Sequence, residues 1–276
     1  MRRYGIWITT LTSILAWPCF STANEPAQFV THSEVAEQIG SLGQALYQYD
    51  QAAWHGTDAF LADLPDGFDN GTVRGYVVTP HEKPKWLNVV FRSDEGVIWE
   101  ARVKGKRVRD ARWLAQPRAL SKDEQARVDA VDTAIPEVTE ACQDRLPMNT
   151  AVLPVPDSDD LYVYVLSPMK DMGEAVFGRH HRIRVSGNGL TLINSRTFTK
   201  SCLVVSAHTD RGERVGITAS HLLDPFPQET HVFVSLQHDL PVYVAIPDTA
   251  RGRAKTGKTH IFEVDGSKIR RVAAVQ

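Results

Sequence analysis

Thr72–Val103 reads TVRGYVVTPHEKPKWLNVVFRSDEGVIWEARV. Three runs within it, 72–79, 85–92 and 96–103, are rich in Val, Tyr, Trp and Phe, the side chains that suit a pleated, half-buried surface. His81-Glu-Lys-Pro84 separates the first two runs, and Ser93-Asp-Glu-Gly96 the next two. Connections this short join antiparallel strands, because a parallel pair needs a crossover of a dozen residues or more. The stretch is therefore a three-stranded meander, with Trp86 and Trp99 anchoring the core or a sheet face. It sets the expected class: α+β, mainly antiparallel sheet, with two principal helices at about 33–54 and 122–142.

The helices follow from spacing and caps. Thr31-His-Ser-Glu34 reads as a capping box, after which Val35, Ile39, Leu42, Leu46 and Ala53 recur at helical intervals. Gly56 and Pro65 mark the decay into a loop. Ser121-Lys-Asp-Glu124 is a second capping box, continued by Val128, Val131, Ile135 and Val138. Pro136 is expected to kink that helix, since it lacks a donor and its ring clashes with the preceding turn.

Pro147, Pro154, Pro156 and Asp157-Ser-Asp-Asp160 then read as a connector. Beyond it the chain is β-rich, with strands expected at 161–166, 181–186, 190–195, 202–207, 215–220, 231–237, 242–246, 260–264 and 268–272. Gly187-Asn188-Gly189 and Asp265-Gly266 are hairpin turns, because glycine and asparagine tolerate the positive φ of tight turns. The organisation is thus a leader (1–23), a helix–meander–kinked helix region (24–146), and a β-rich region (157–276) either separate from it or integrated with it.

The leader has an export pattern. Arg2 and Arg3 precede an apolar stretch from Ile6 to Phe20, and Ser21-Thr22-Ala23 offers a cleavage site before Asn24. The stretch is shorter than the ~20 residues a spanning helix needs. No later segment is apolar enough to span a bilayer, so the expected location is periplasmic or secreted. Cys19 leaves with the leader. Cys142 and Cys202 remain, and two thiols in an oxidising compartment pair. Removing residues 1–23 takes away two arginines and no acids, so the net charge goes from −2 to −4. That balance gives no global attraction to nucleic acid or to an anionic membrane.

No motif names a reaction. Gly252-Arg-Ala-Lys-Thr-Gly257-Lys258-Thr259 fits the P-loop expression, but a strand and turn follow it where the motif needs a helix. Read more mildly, Arg251, Arg253, Lys255 and Lys258 form a basic loop for an anionic partner. Of ten histidines, His221 ends one expected strand and His231 begins the next, with Asp224 between them. A hairpin there gathers two imidazoles and a carboxylate, a set of metal-ligand type. His180, Arg182 and Arg184 share one strand face and read as a basic strip on a solvated sheet. Tyr47, Tyr49 and Trp54 sit near the end of the first helix as core or groove lining.

Three functional readings follow. The first is a non-catalytic periplasmic or secreted protein that needs no cofactor and binds an envelope or protein partner, not nucleic acid, through its C-terminal half. The alternative is a hydrolase using a divalent metal at His221, Asp224 and His231. The third is an anion-binding module built on the 251–258 loop.

Overall fold

The computed structural model describes residues 32–138, 142, 147–207, 215–248 and 257–275. The meander is present and longer than the sequence indicates. Strands β1 (Gly75–Pro80), β2 (Leu87–Ser93) and β3 (Gly96–Lys104) are joined by a fourth, β4 (Arg107–Arg118), in the antiparallel order β1-β2-β3-β4. β4 is an edge strand, mostly exposed and rich in arginine, so it lacks the apolar alternation that reveals a half-buried strand.

The first helix, α1 (His32–Ala62), runs past the expected end near residue 54. Gly56 does not stop it. A side chain there would lie 2.7 Å from a Val89 methyl carbon, so the glycine lets the helix close on β2. The helix ends where Asp63 receives two indole donors, Trp99 Nε1 at 3.0 Å on its carboxylate and Trp113 Nε1 at 2.6 Å on its carbonyl. Thr31 lies outside the described residues. Gly40 and Gly43 play the same spacing role as Gly56, toward Ser267 and Val232.

The second helix, α2 (Lys122–Ala134), starts at the predicted box: Glu124 N–H donates to Ser121 Oγ and Ser121 N–H to Glu124 Oε2. It ends at Ala134 rather than near Cys142, because Pro136 sits in a 3-10 turn, Ile135–Glu137. Residues 147–160 are not only a connector, since they hold strand β5 (Asn149–Pro154). β5 pairs with β6 (Leu161–Leu166), β6 with β8 (His181–Val185), and β8 with β9 (Leu192–Thr197), all antiparallel. The Gly187–Gly189 turn joins β8 to β9, with Gly189 at φ +78°. Two short strands, β7 (Glu174–Val176) and β10 (Val204–Ser206), pair separately.

The expected strand at 231–237 is a helix, α3 (Glu229–His238). It connects β11 (Ile217–Ser220) to β12 (Val242–Pro247), which lie parallel, so no hairpin exists between His221 and His231. β13 (Thr259–Asp265) and β14 (Lys268–Val275) complete that sheet as antiparallel neighbours. Among the described residues the result is α+β with antiparallel pairing in every strand pair except β11–β12. Residues His32–Gln276 form one compact unit.

α1 packs against strands of all three four-stranded sheets and against α3. Leu46, Phe60, Trp99, Tyr164, Phe198, Ile217 and Val232 share its core. A smaller core lies under α2, where Ala126, Ala130 and Ala134 meet Val163 and Ile183. Cys142 and Cys202 form a disulfide, with Cα atoms 5.4 Å apart. It passes over Gly178, where a Cβ would lie 2.5 Å from Cys142 Sγ. Among the described residues, no helix is long and apolar enough to cross a membrane.

Candidate anion-binding cleft

The β8–β9 hairpin places Arg182 opposite Arg196 and Arg184 opposite Asn194. On the other side of β8, Tyr164 pairs with Arg182 and Tyr162 with Arg184. Alternation along each strand therefore gathers Tyr162, Tyr164, Arg182, Arg184 and Arg196 on one face, and sends Ile183 and Val185 to the core under α2. The strip read as solvated is in fact half-buried and held in place. Arg184 bonds Asp160 through Nε at 2.7 Å, and Arg182 Nη1 is bonded to Glu229. Arg196 Nη2 bonds Asp224 at 2.7 Å.

Rings fix the guanidinium planes as well. Arg196 lies 4.6 Å from the centroid of Phe198, and Arg182 lies 4.6 Å from that of Tyr162. Phe198 is fully buried beneath both, with its ring parallel to that of Tyr164. A guanidinium stacked on an aromatic face and tied to a carboxylate has little rotamer freedom left to lose when it binds a ligand.

Glu229, at the first turn of α3, is buried and also accepts a hydrogen bond from the Tyr164 hydroxyl at 3.1 Å. Burial and the Glu229 charge hold the Tyr164 pKa well above its usual value, so the phenol remains a donor. Burial lowers the affinity of Arg182 for its proton, but the Glu229 charge together with the Tyr164 and Tyr162 oxygens outweighs this and the net shift is upward. Burial likewise raises Asp224, yet the bonds from His221 and Arg196 prevail and hold it ionised.

Arg179, Arg182, Arg196 and Lys200 line a cleft of ≈ 900 Å³ with His181, Asn194, Thr197, Thr199 and Asp224. Four cations stand against two carboxylates, Asp224 in the lining and Glu229 behind Arg182, so the cleft is net positive. Burial and the Arg179 charge push the His181 pKa down, which leaves it neutral at pH 7 and bonded to Thr197 Oγ1 at 3.1 Å. Such a lining suits a phosphate or carboxylate group, which takes charge-assisted bonds from two adjacent guanidiniums.

His221, Asp224 and His231 do come together, by a route other than a hairpin. His221 follows β11, and His231 sits in the first turn of α3. Their rings meet edge to face with centroids 5.1 Å apart. His221 Nε2 bonds Asp224 Oδ2 at 3.0 Å, and His231 Nδ1 accepts the Gln228 N–H at 2.9 Å. Each ring thus already uses a nitrogen within the fold. Among the described residues, no group of three or more His, Cys, Asp or Glu is disposed to hold a metal ion. His180 is also buried, accepting the Ser167 N–H on Nδ1 and bonding the Val176 carbonyl through Nε2. Burial pushes the pKa of His180 down to about 4 and that of His231 to about 3, so both are neutral at pH 7.

Arg251, Arg253 and Lys255 lie outside the described residues. Lys258 is exposed, and its carbonyl accepts the Asp248 N–H at 2.9 Å just before β13 begins at Thr259. A strand therefore follows the P-loop-like residues where a phosphate cradle needs a helix. Tyr49 is core, while Tyr47 is half-buried and Trp54 exposed. Arg196, Glu229 and Phe198 carried no sequence signal of their own. For Arg196 the one trace was the hairpin turn, which brings it opposite Arg182, and Glu229 stood out only as an acid between His221 and His231.

Compared with models of known protein families, with curated proteins and with solved structures, the chain matches none.

Proposed function

We propose that the chain is an exported, non-catalytic binding protein that takes a phosphate- or carboxylate-bearing ligand into the cleft between β8, β9 and the 221–228 loop. One observation carries the reading. Arg182 and Arg196 stand side by side on paired strands, each fixed by a buried or half-buried carboxylate and an aromatic face. Anion recognition needs cations held ready before the ligand arrives, and a carboxylate behind each guanidinium supplies that. The non-catalytic half of the reading rests on the imidazoles. A general base must reach the proton it removes, whereas His180 and His231 are buried, neutral and bonded to backbone. Export rests on the N-terminal pattern and is supported by the Cys142–Cys202 disulfide, a bond that persists in oxidising compartments.

Titration calorimetry with inorganic phosphate and with citrate tests the cleft. Binding with Kd of about 1 mM or tighter is expected, weakening roughly tenfold in Arg196→Gln. No heat from either anion, or equal affinity in the variant, overturns it. Export is tested separately: the chain recovered outside the cytosol is expected to begin at Asn24 and to contain no free thiol.

A further inference from the structure

A second basic surface lies away from the cleft, at one end of the first sheet. Register places it there. Pro80 pairs with Leu87, Leu87 with Val103, and Lys104 with Arg107. The 81–86 loop and the 104–107 turn are therefore neighbouring tips of adjacent hairpins. They carry Lys83, Lys85, Lys104, Lys106 and Arg107, with Arg109 next along β4, and all six are exposed. Other arginines of the same sheet are paired: Arg74 with Asp94, Arg112 with Glu100 and Arg118 with Glu124 farther off, and Arg102 with Asp110 at this end. Among the described residues, none of the six tip cations makes an ion pair. The acids at this end are Glu82 and Asp110, and Asp110 is engaged by Arg102.

We propose that this sheet end, 81–86 with 104–109, docks the protein on an anionic phospholipid surface. Six unpaired cations against one unpaired acid, Glu82, in a chain of net charge −2 give a local attraction that the overall charge conceals. Four strands at their usual spacing spread the charges over about 14 Å, wider than one phosphate group and suited to several headgroups in a plane. The cations stand on projecting hairpin tips, which meet a flat surface more readily than they enclose a small solute. Half-buried Trp86 sits among them, and an indole with one apolar and one polar side favours the bilayer interface. Lys85 holds a left-handed backbone (φ +67°) that a lysine rarely adopts, so the tip's shape is imposed by the fold around it. Attachment is peripheral and does not depend on the anion cleft.

The test is sedimentation of the chain, recovered from an exporting host, with phosphatidylcholine vesicles that do or do not contain phosphatidylglycerol. Binding is expected to be at least tenfold stronger to the anionic vesicles and to be lost when ionic strength shortens the Debye length to about 3 Å. The K83Q/K85Q/K104Q/K106Q variant is expected to lose that preference. A variant with the same charge loss at other exposed lysines, K122Q/K170Q/K258Q/K268Q, is expected to keep it. Equal loss in both variants, no loss in the first, or capture of the protein by RNA or an acidic glycan but not by vesicles overturns the proposal. Hydrogen exchange on the unsubstituted protein provides a measurement free of folding effects. Vesicles are expected to slow exchange at 81–86 and 104–109, and unchanged rates there also overturn it.

Discussion

Replacing Glu229 by Gln separates what the buried carboxylate does for the fold from what it does to the cleft. Glu229 is almost wholly buried at the start of α3, where it accepts from the Tyr164 hydroxyl and pairs with Arg182. Glutamine keeps the shape and one carbonyl acceptor for Tyr164 but removes the charge. Removing one partner from a buried ion pair costs about 3–5 kcal/mol when the other charge is stranded. Arg182 is not fully stranded: its side chain is 19% exposed toward the cleft and stacks on Tyr162. The retained acceptor and that partial solvation reduce the expected loss to about 2 kcal/mol. Binding moves the other way. A negative charge about 8 Å from a bound anion, at an effective dielectric near 20 and with some screening, opposes binding by about 1 kcal/mol. Phosphate affinity in Glu229→Gln is therefore expected to rise roughly fivefold while stability falls. Urea unfolding and phosphate calorimetry on the same preparations read both quantities. A variant as stable as the parent that binds phosphate no better refutes the reasoning, because Arg182 then neither relies on Glu229 nor meets the ligand.

Acid should weaken the fold through His180 and His231. Their folded pKa values, about 4 and about 3, lie below the unfolded value, so their contribution is full above pH 6.5 and is lost as pH falls through 4. For His180 alone this is on the order of 3 kcal/mol, and urea midpoints that match at pH 7 and pH 4 count against it. Asp50 acts in the opposite sense: burial raises it to about 6, so its contribution is present below the unfolded pKa and lost as pH rises through 6. Asp50→Asn is thus expected to stabilise by about 1 kcal/mol at pH 8 and by nothing at pH 4. Gly43→Ala gains about 1 kcal/mol of helix propensity but drives a Cβ to 2.4 Å from Val232 Cβ and 2.7 Å from the Glu229 carbonyl. Overpacking of about 3 kcal/mol prevails, and a raised melting temperature would contradict that. Replacing Cys142 and Cys202 by serine is expected to lower stability by about 4 kcal/mol, since the bond closes a separation of 60 residues. Lys200 lies two residues from Cys202, so phosphate binding should weaken too; an unchanged urea midpoint in the double variant would show the bond to be dispensable.

The class was legible because its signals are local. Short polar turns in 72–103, the Ser121–Glu124 box and the Gly187–Gly189 turn each act over a few residues, and each appears as read. What escaped was decided at long range. Residues 231–237, HVFVSLQ, have the β-branched content of a strand. They form a helix because β11 and β12 lie parallel, and parallel neighbours require a crossover that packs back on the sheet. Burial of Val232, Phe233 and Val234 on several sides of α3 erased the periodicity that marks an amphipathic helix. The end of α3 carried local stop signals: His238 in the last turn, Asp239 in left-handed conformation, and Pro241 just beyond. β4 escaped for the opposite reason: as an exposed edge strand its sequence reports solvent rather than core.

The site shows the same division, and the histidines, which supplied only the alternative metal reading, illustrate it. His180, His221 and His231 arrive from three different elements and converge, the pattern expected of a metal or catalytic centre. Yet a neutral imidazole carries one donor and one acceptor, which makes it equally apt for closing off polar groups that a crossover and a loop leave inside. His180 and His231 do this for the Ser167 and Gln228 N–H groups, and His221 steadies the Asp224 carboxylate. The arginines, whose sequence looked like an ordinary solvated strand, are instead the charged groups that line the cleft. A strand pattern states which side chains share a face; it does not state whether that face meets water. Here α3 and the 221–228 loop bring Glu229 and Asp224 against it from 28 to 47 residues away, turning surface charges into fixed ones. Those two carboxylates, invisible as partners in the sequence, are what separate this fixed, half-buried strip from a solvated basic sheet.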